Sequence, residues 1–468
     1  MAWRSDSSSA QRGSVSTAPD AAVSRRVSSD GAQDRLRPAA RPRGKRRARG
    51  GRPIASLLAV GVVWTAVAAS APAGDWPQYL GPKQDGTSEE TGLRFDWPEG
   101  GPPVVWTKRL GPSFSPPVVA GDRLVVFHRI GNTEVLECVT ASGGERLWQF
   151  GYPTRYKDRY RYNGGPRSSP AIDDTHVYAY GAEGTLTCLD LATGRKVWQR
   201  PLNADLGAPQ AFFGVGVPPV VEGDVLLLNP GGPDGAGIVG VDKATGAVRW
   251  KATDHGASYA TPVVRTVRGE RLAFVLTAEG LVVLHPATGQ VHATMPFRSV
   301  YRESVNAASP VVVGDRVFLS AAYRVGSALV AVTPDGLETV WRNKENLQSH
   351  WATSIHSGGV LYGSHGRHGT DAVVRCVDWD TGLVLWEGPR GLGRATFTLA
   401  QGHLLTMGEL GHLVVLEATP LGYTETARAK VLDPPCWGPP VLARGLVYVR
   451  NETILTCLDL RGPTPPQR

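Results

Sequence analysis

Tryptophan recurs along this chain at a spacing that few folds can use. Trp106, Trp148, Trp198, Trp250, Trp341 and Trp386 are separated by 42, 50, 52, 91 and 45 residues, the long gap being two periods with one Trp missing. A period near 45 residues is the size of a four-stranded propeller blade. A second marker runs in register with the first, because each period opens an apolar run on a Pro or small residue. The starts are Ser115-Pro116-Pro117-Val118, Ser169-Pro170-Ala171, Pro218-Pro219-Val220, Thr261-Pro262-Val263, Ser309-Pro310-Val311, Ser354-Ile355, Thr396-Phe397 and Pro439-Pro440-Val441, which makes eight.

A third marker precedes the Trp. Asp190-x-x-Thr193-Gly194, Asp242-x-x-Thr245-Gly246 and Asp378-x-x-Thr381-Gly382 each lead into a Trp four residues on, and His285-x-x-Thr288-Gly289 is a degraded copy in the long gap. Such a segment is a hairpin turn: Gly takes the positive φ, Asp caps the turn, and the Trp ring packs on the neighbouring blade. The last period stops at Leu460 without an outer strand, while Trp106 stands before the first start. The segment Val104–Leu110 is therefore expected to pair into the last blade and close the ring, which removes exposed sheet edges. The predicted fold class is all-β, an eight-bladed β-propeller of four-stranded antiparallel blades. The content of 56 Gly and 36 Pro in 468 residues agrees with many short elements rather than a helical bundle.

The net charge of +8 is confined to one end. Residues 1–53 carry 13 Lys or Arg against 4 Asp, whereas residues 54–468 carry 37 basic and 38 acidic groups. A neutral body exerts no long-range pull on phosphate, so nucleic acid is excluded as a partner. Residues 1–53 are expected to be a disordered basic leader. Residues 54–73, an apolar run ending in Ala71-Pro72-Ala73, have the parts of a signal peptide with cleavage after Ala73. Export to the periplasm or cell surface is the expectation, with retention as a membrane anchor as the alternative. Whether residues 1–53 belong to a start codon placed too far upstream or to a real tail is open at this level. No Cys follows the apolar run, so no lipid anchor is expected. Residues 74–103 read as a lead-in, 104–462 as the propeller and 463–468 as a disordered tail; a monomer is expected.

The Asp-x-x-Thr-Gly-x-x-x-Trp turn repeated around eight blades resembles the pyrroloquinoline-quinone-like repeat family. Its branches include quinoprotein alcohol dehydrogenases and the propeller subunit of the outer-membrane β-barrel assembly machinery. The lead-in Asp75-Trp76-Pro77-Gln78-Tyr79-Leu80-Gly81-Pro82 and the segments Trp97-Pro98-Glu99-Gly100 and Pro102–Trp106 resemble secreted planctomycete-type members. The dehydrogenase branch implies adjacent cysteines over the cofactor, an Asp base, and a Glu/Asn/Asp set holding Ca²⁺ against the quinone. Here no two Cys are adjacent and no acidic residue stands at the strand starts. Catalytic residues are therefore assigned to none, a metal to none, and no cofactor is expected, pyrroloquinoline quinone with calcium being unsupported by the site residues.

Chemistry in a propeller gathers where outer strands return to inner ones. The residues just before the strand starts, Arg167, Tyr259, Asn306, His350, Arg394 and Trp437, are expected to ring the channel mouth. Such a ring suits a small planar or anionic molecule, a glycan, or a protein partner. The bland alternative is that these side chains tie down the connections. The long connection Tyr152 to Arg167 is aromatic and basic, and Tyr156, Tyr160, Trp351 and Trp437 are candidate sugar platforms. His350, His356, His365 and His368 lie close in sequence, but alternating strand faces scatter them. Cys138, Cys188, Cys376 and Cys457 sit at equivalent places in their blades and are expected as buried free thiols, with Cys436 the exposed exception. The reading is an exported, non-catalytic binding or scaffold propeller; the alternatives are a quinone-dependent oxidoreductase and a polysaccharide-binding or degrading propeller.

Overall fold

The structure, a computed structural model, describes residues 74–98, 100–301 and 304–462. The basic leader, the apolar segment with its cleavage region, Glu99 and the tail 463–468 lie outside the described residues.

Eight sheets follow one another around a ring. Their first strands are Val118–Ala120, Ala171–Ile172, Val220–Glu222, Val263–Val267, Val311–Val313, Ile355–Ser357, Ala395–Ala400 and Val441–Ala443. These line the axis and touch their neighbours. Each blade then runs outward through antiparallel partners to a fourth strand, as blade 1 does through Arg123–Ile130 and Thr133–Thr140 to Arg146–Pro153. Blade 8 takes its outer strand from the start of the ring: Val104–Arg109 pairs antiparallel with Ile454–Asp459. The closure expected from the sequence is thus present.

The core is a series of layers between blades rather than one central mass. Val118, Val125, Phe127 and Trp148 of blade 1 meet Val177, Ala179 and Leu189 of blade 2 in one such layer. Leu226 and Val239 of blade 3 meet Tyr178 and Leu186 of blade 2 in the next. Strand alternation makes this possible, because each sheet is buried on both faces.

The repeated turn shows how the layers are latched. Asp190 Oδ1 accepts both the N–H and the hydroxyl of Thr193, at 2.8 and 2.6 Å, and Asp242 and Asp378 do the same for Thr245 and Thr381. Gly194, at φ +71°, leaves room for the ring of Trp148 in the preceding blade. The Trp148 indole N–H then donates to the Leu191 carbonyl of that turn, at 2.9 Å. Trp198, Trp250, Trp341 and Trp386 donate in the same way to Lys243, Pro286, Trp379 and Thr419. Trp106 completes the circle by donating to Ala141 of blade 1. Gly246 and Gly382 make room for Trp198 and Trp341.

Two blades lack the Trp, and each time the next turn is different. In blade 4 Ala293 holds the register position of the Trp, and His292 Nε2 reaches the Thr333 carbonyl instead. In blade 7 the position is Ala427, and blade 8 has no covalent turn to receive an indole. Phe95 and Trp97 of the lead-in pack into the layer there.

The lead-in has a structural role that the sequence reading did not assign. Trp76 bridges Val119 of blade 1, and the Pro77 carbonyl accepts the Ile172 N–H of blade 2. Gln84 Oε1 accepts the Val264 N–H of blade 4. Thr87–Ser88 adds a parallel fifth strand inside blade 7, so the expectation of four strands per blade needs correcting there. Glu90 accepts the N–H groups of Arg444 and Gly445 in blade 8, at 2.7 and 2.5 Å. Contacts with blades on opposite sides of the ring mean that this segment crosses the channel and closes one end of it.

Candidate functional site

At the other end the channel opens as a cup of about 180 Å³. Tyr79, carried in by the lead-in, belongs to its lining, and burial, only partly offset by a hydrogen bond with Thr353, pushes its hydroxyl pKa up to about 12. The walls come from the returns between blades, and five of the six expected mouth residues line them: Arg167, Tyr259, His350, Arg394 and Trp437.

Asn306 does not. Its neighbours Val305 and Ala307 face the cup, whereas its own amide donates to the carbonyls of Thr277 and Phe297, both at 2.8 Å, and is 4% exposed. An amide donating to two buried carbonyls is holding backbone, which is the bland reading for this position. Phe114, just before the first strand start, lines the cup as well, and occupies in blade 1 the place that Arg167, Tyr259, Arg394 and Trp437 hold in theirs.

Arg167 is held by Asp158, at 2.8 Å, and its guanidinium lies 5.3 Å from the Phe114 ring centroid. Asp158 is also the hub of the long connection, accepting the N–H groups of Tyr160 and Tyr162 and the Tyr156 hydroxyl. Tyr156 is thereby buried, which removes it as a sugar platform, and Tyr160 stacks on Phe212. The Tyr259 hydroxyl accepts the Phe213 N–H at 2.6 Å, and burial pushes its pKa up.

The facing wall is one polar network set among rings. Arg394 pairs with Glu409 through both Nε, at 2.8 Å, and Nη2, and its guanidinium lies 4.0 Å from the Trp351 centroid. The Trp437 indole donates to Glu409 at 3.0 Å while its ring stacks on Phe114 at 4.3 Å. Burial alone would raise the Glu409 carboxyl, but Arg394 and Trp437 outweigh it and hold it below its ordinary value. His350 Nδ1 faces Arg394 Nη1 at 3.4 Å and Nε2 meets the Tyr323 hydroxyl at 2.9 Å. Burial, then the charges of Arg394 and Arg367, lower its pKa to about 3. His350 is therefore neutral.

Sequence reasoning missed Glu409 and Asp158 as partners of the two arginines. Glu409 stands in the link between the second and third strands of blade 7, and Asp158 in mid-connection, so neither shares the offset that marked the others. Of the other histidines, His356 lies against Trp379 and His365 Nδ1 accepts the Gln348 N–H, so neither converges with His350; only His368 comes near enough for its charge to bear on it. All five cysteines are free and buried, Cys436 included, which corrects the expectation that it is exposed. Its thiol packs in the layer formed by blades 7, 8 and 1.

A ring of eight blades, six of them latched by Trp and three of those latches on Asp-Thr-Gly turns, open as an aromatic cup at one end, defines a propeller of pyrroloquinoline-quinone-like repeats. A family profile described as outer membrane protein assembly factor BamB matches residues 131–387, and the chain belongs to that family. Over 236 residues it is 28% identical to the outer membrane protein assembly factor BamB of Burkholderia pseudomallei, a match covering 47% of this chain and 55% of that one. Over 268 residues it is 25% identical to the dehydrogenase subunit of a quinone alcohol dehydrogenase of Acetobacter aceti, covering 52% of this chain and 34% of that one. The chain thus spans about half the length of the first relative and a third of the second.

Among solved structures, BamB from Moraxella catarrhalis superposes with a TM-score of 0.57 at 18% identity, over 78% of this chain and 99% of that one. Quinohemoprotein alcohol dehydrogenase from Comamonas testosteroni gives 0.59 at 12% identity, over 86% and 82%. At these identities the likeness is one of fold.

Proposed function

We propose that this chain is an exported, non-catalytic binding propeller whose specific contact is made in and around the cup. The observation that carries this reading is the state of the charged groups there: each arginine of the lining is paired with a buried carboxylate, Arg167 with Asp158 and Arg394 with Glu409. A carboxylate held by arginine is a poor general base, and His350, with its pKa near 3, is a weak one. What remains is recognition by aromatic surface and fixed donors. Membership in a family described as an outer membrane assembly factor supports a binding role and an extracytoplasmic site.

The dehydrogenase relatives raise the question of quinone and calcium. The residues present do not fit that group. The two carboxylates at the cup are engaged by arginine, Cys436 has no adjacent cysteine, and no three His, Cys, Asp or Glu side chains converge as a metal site among the described residues.

The test uses the full chain in its host. A photo-crosslinking side chain at Tyr162, on the cup, is expected to give a discrete adduct, and one at the exposed Leu421, in the last turn of blade 7, none. Equal labelling at both, or none at Tyr162, would remove the cup as the contact. Dye reduction by the purified chain with pyrroloquinoline quinone, Ca²⁺ and simple alcohols is expected to be absent; turnover would overturn the non-catalytic reading.

A further inference from the structure

Three buried polar atoms of the cup lining have no hydrogen-bond partner: Arg167 Nη1, Thr261 Oγ1 and Trp351 Nε1. Thr261 is 4% exposed. Leaving a buried polar atom unpaired forfeits its hydration with nothing in return, so three around one cavity are a departure from how interiors are built. Two of them are N–H donors and the third is a hydroxyl, and what all three accommodate is an acceptor oxygen.

Charge and size narrow the class. The charges of Arg167 and Arg394 are already balanced by Asp158 and Glu409, and His350, receiving an N–H on Nδ1, is neutral. Among the described residues, no lining cation is left without a counter-charge to repay the desolvation of a bound carboxylate. The volume of about 180 Å³ is close to the roughly 150 Å³ that holds one benzene ring in a protein interior. Phe114, Phe213, Trp351 and Trp437 make the walls.

Resting on the reading that the cup is a binding site, we infer that it takes a single uncharged aromatic ring bearing a hydroxyl or carbonyl oxygen. The ring lies among the aromatic walls. The oxygen accepts from Arg167 Nη1 or Trp351 Nε1, with the Thr261 hydroxyl completing the set.

Calorimetry and tryptophan fluorescence on the full chain test this with matched probes. 4-Hydroxybenzamide is expected to bind saturably at one site, and its anionic counterpart 4-hydroxybenzoate at least tenfold more weakly. Methyl glucopyranoside, which has oxygens but no aromatic ring, is expected not to bind. Acetyl-Gly-Tyr-Gly-amide distinguishes the two sources of such a ring: binding as tight as the amide's means a tyrosine presented by a polypeptide, and weaker binding means a free small molecule. Thr261→Val and Trp351→Phe are each expected to weaken 4-hydroxybenzamide about fivefold to tenfold. Thr261→Val should leave the unfolding temperature unchanged or raise it, because it deletes an unpaired group. A lower unfolding temperature would show a structural hydroxyl and overturn the assignment. Tighter binding of the benzoate, or of the glucoside, would overturn the ligand class while leaving the cup a binding site. Binding of none of the probes would overturn the ring inference, and the crosslink at Tyr162 would still decide the broader reading on its own.

Discussion

Single residues at the blade turns answer to two separable costs, and two glycines isolate them. Gly194 and Gly223 both have positive φ, +71° and +56°. A Cβ on Gly223 would meet nothing within 4 Å, whereas one on Gly194 would stand 2.5 Å from Trp148 Cδ2. Gly223→Ala therefore carries only the left-handed backbone penalty, about 1 kcal/mol. Gly194→Ala adds an overlap with a ring already fixed by its hydrogen bond to Leu191, a further ~2 kcal/mol. Equal losses in denaturant unfolding would mean that the ring moves aside freely and that the latch is not tight. His350 provides a second residue-scale outcome. Its folded pKa of about 3 lies below the ordinary 6.5, so between those values the unfolded chain binds a proton that the folded chain refuses. This contribution is complete above pH 6.5 and is lost as the pH falls through the window. His350→Gln should flatten the decline in stability between pH 6.5 and 5 by up to ~1.4 kcal/mol per pH unit. Matching slopes in urea titrations of the two proteins would show that His350 protonates freely in the fold.

At the scale of elements, the sequence was legible where a contact repeats and illegible where it occurs once. The Trp and the Asp-Thr-Gly turn recur because most blade boundaries solve the same packing problem, so the register of eight blades could be read from the sequence. The lead-in solves its problem once, largely with backbone groups: the Pro77 and Gly86 carbonyls accept the N–H groups of Ile172 and Leu399. Backbone acceptors leave no residue-type signature. The arginines of the cup could be placed by offset, but their carboxylates could not, since Asp158 and Glu409 come from two different kinds of loop. Glu90 is the lead-in residue most open to test. It is 7% exposed and accepts two N–H groups of the tight turn at Arg444 and Gly445. Glu90→Leu removes the acceptor and leaves the Gly445 donor buried and the Arg444 donor half-buried, a loss of roughly 1–3 kcal/mol from the buried group alone. Hydrogen exchange should accelerate over residues 75–95 and in that turn, with the blades otherwise protected. Acceleration spread evenly over all eight blades would show that the lead-in and the ring unfold as one unit.

For the molecule as a whole, closure and sealing are different functions of neighbouring segments, and truncation separates them. A chain beginning at Gly101 loses the segment that crosses the channel but keeps Val104–Arg109, the outer strand of blade 8. The ring remains shut and Trp106 still latches blade 8 to blade 1 through Ala141. It should stay monomeric, with a lower unfolding temperature and a cup that has lost Tyr79. A chain beginning at Gly111 also loses the closing strand, and the edge of Ile454–Asp459 is left as a row of unpaired backbone groups. An open edge of that kind templates association, so this chain should form oligomers or aggregates in light scattering. A synthetic peptide of residues 100–112 should suppress that association by supplying the missing strand, since the register of Trp106 on Cys457 and Thr107 on Thr456 is specified on both sides. If the chain beginning at Gly111 were as monomeric and as stable as the one beginning at Gly101, the ring would not depend on its closing strand. The inter-blade layers alone would then be sufficient to hold eight sheets in a circle.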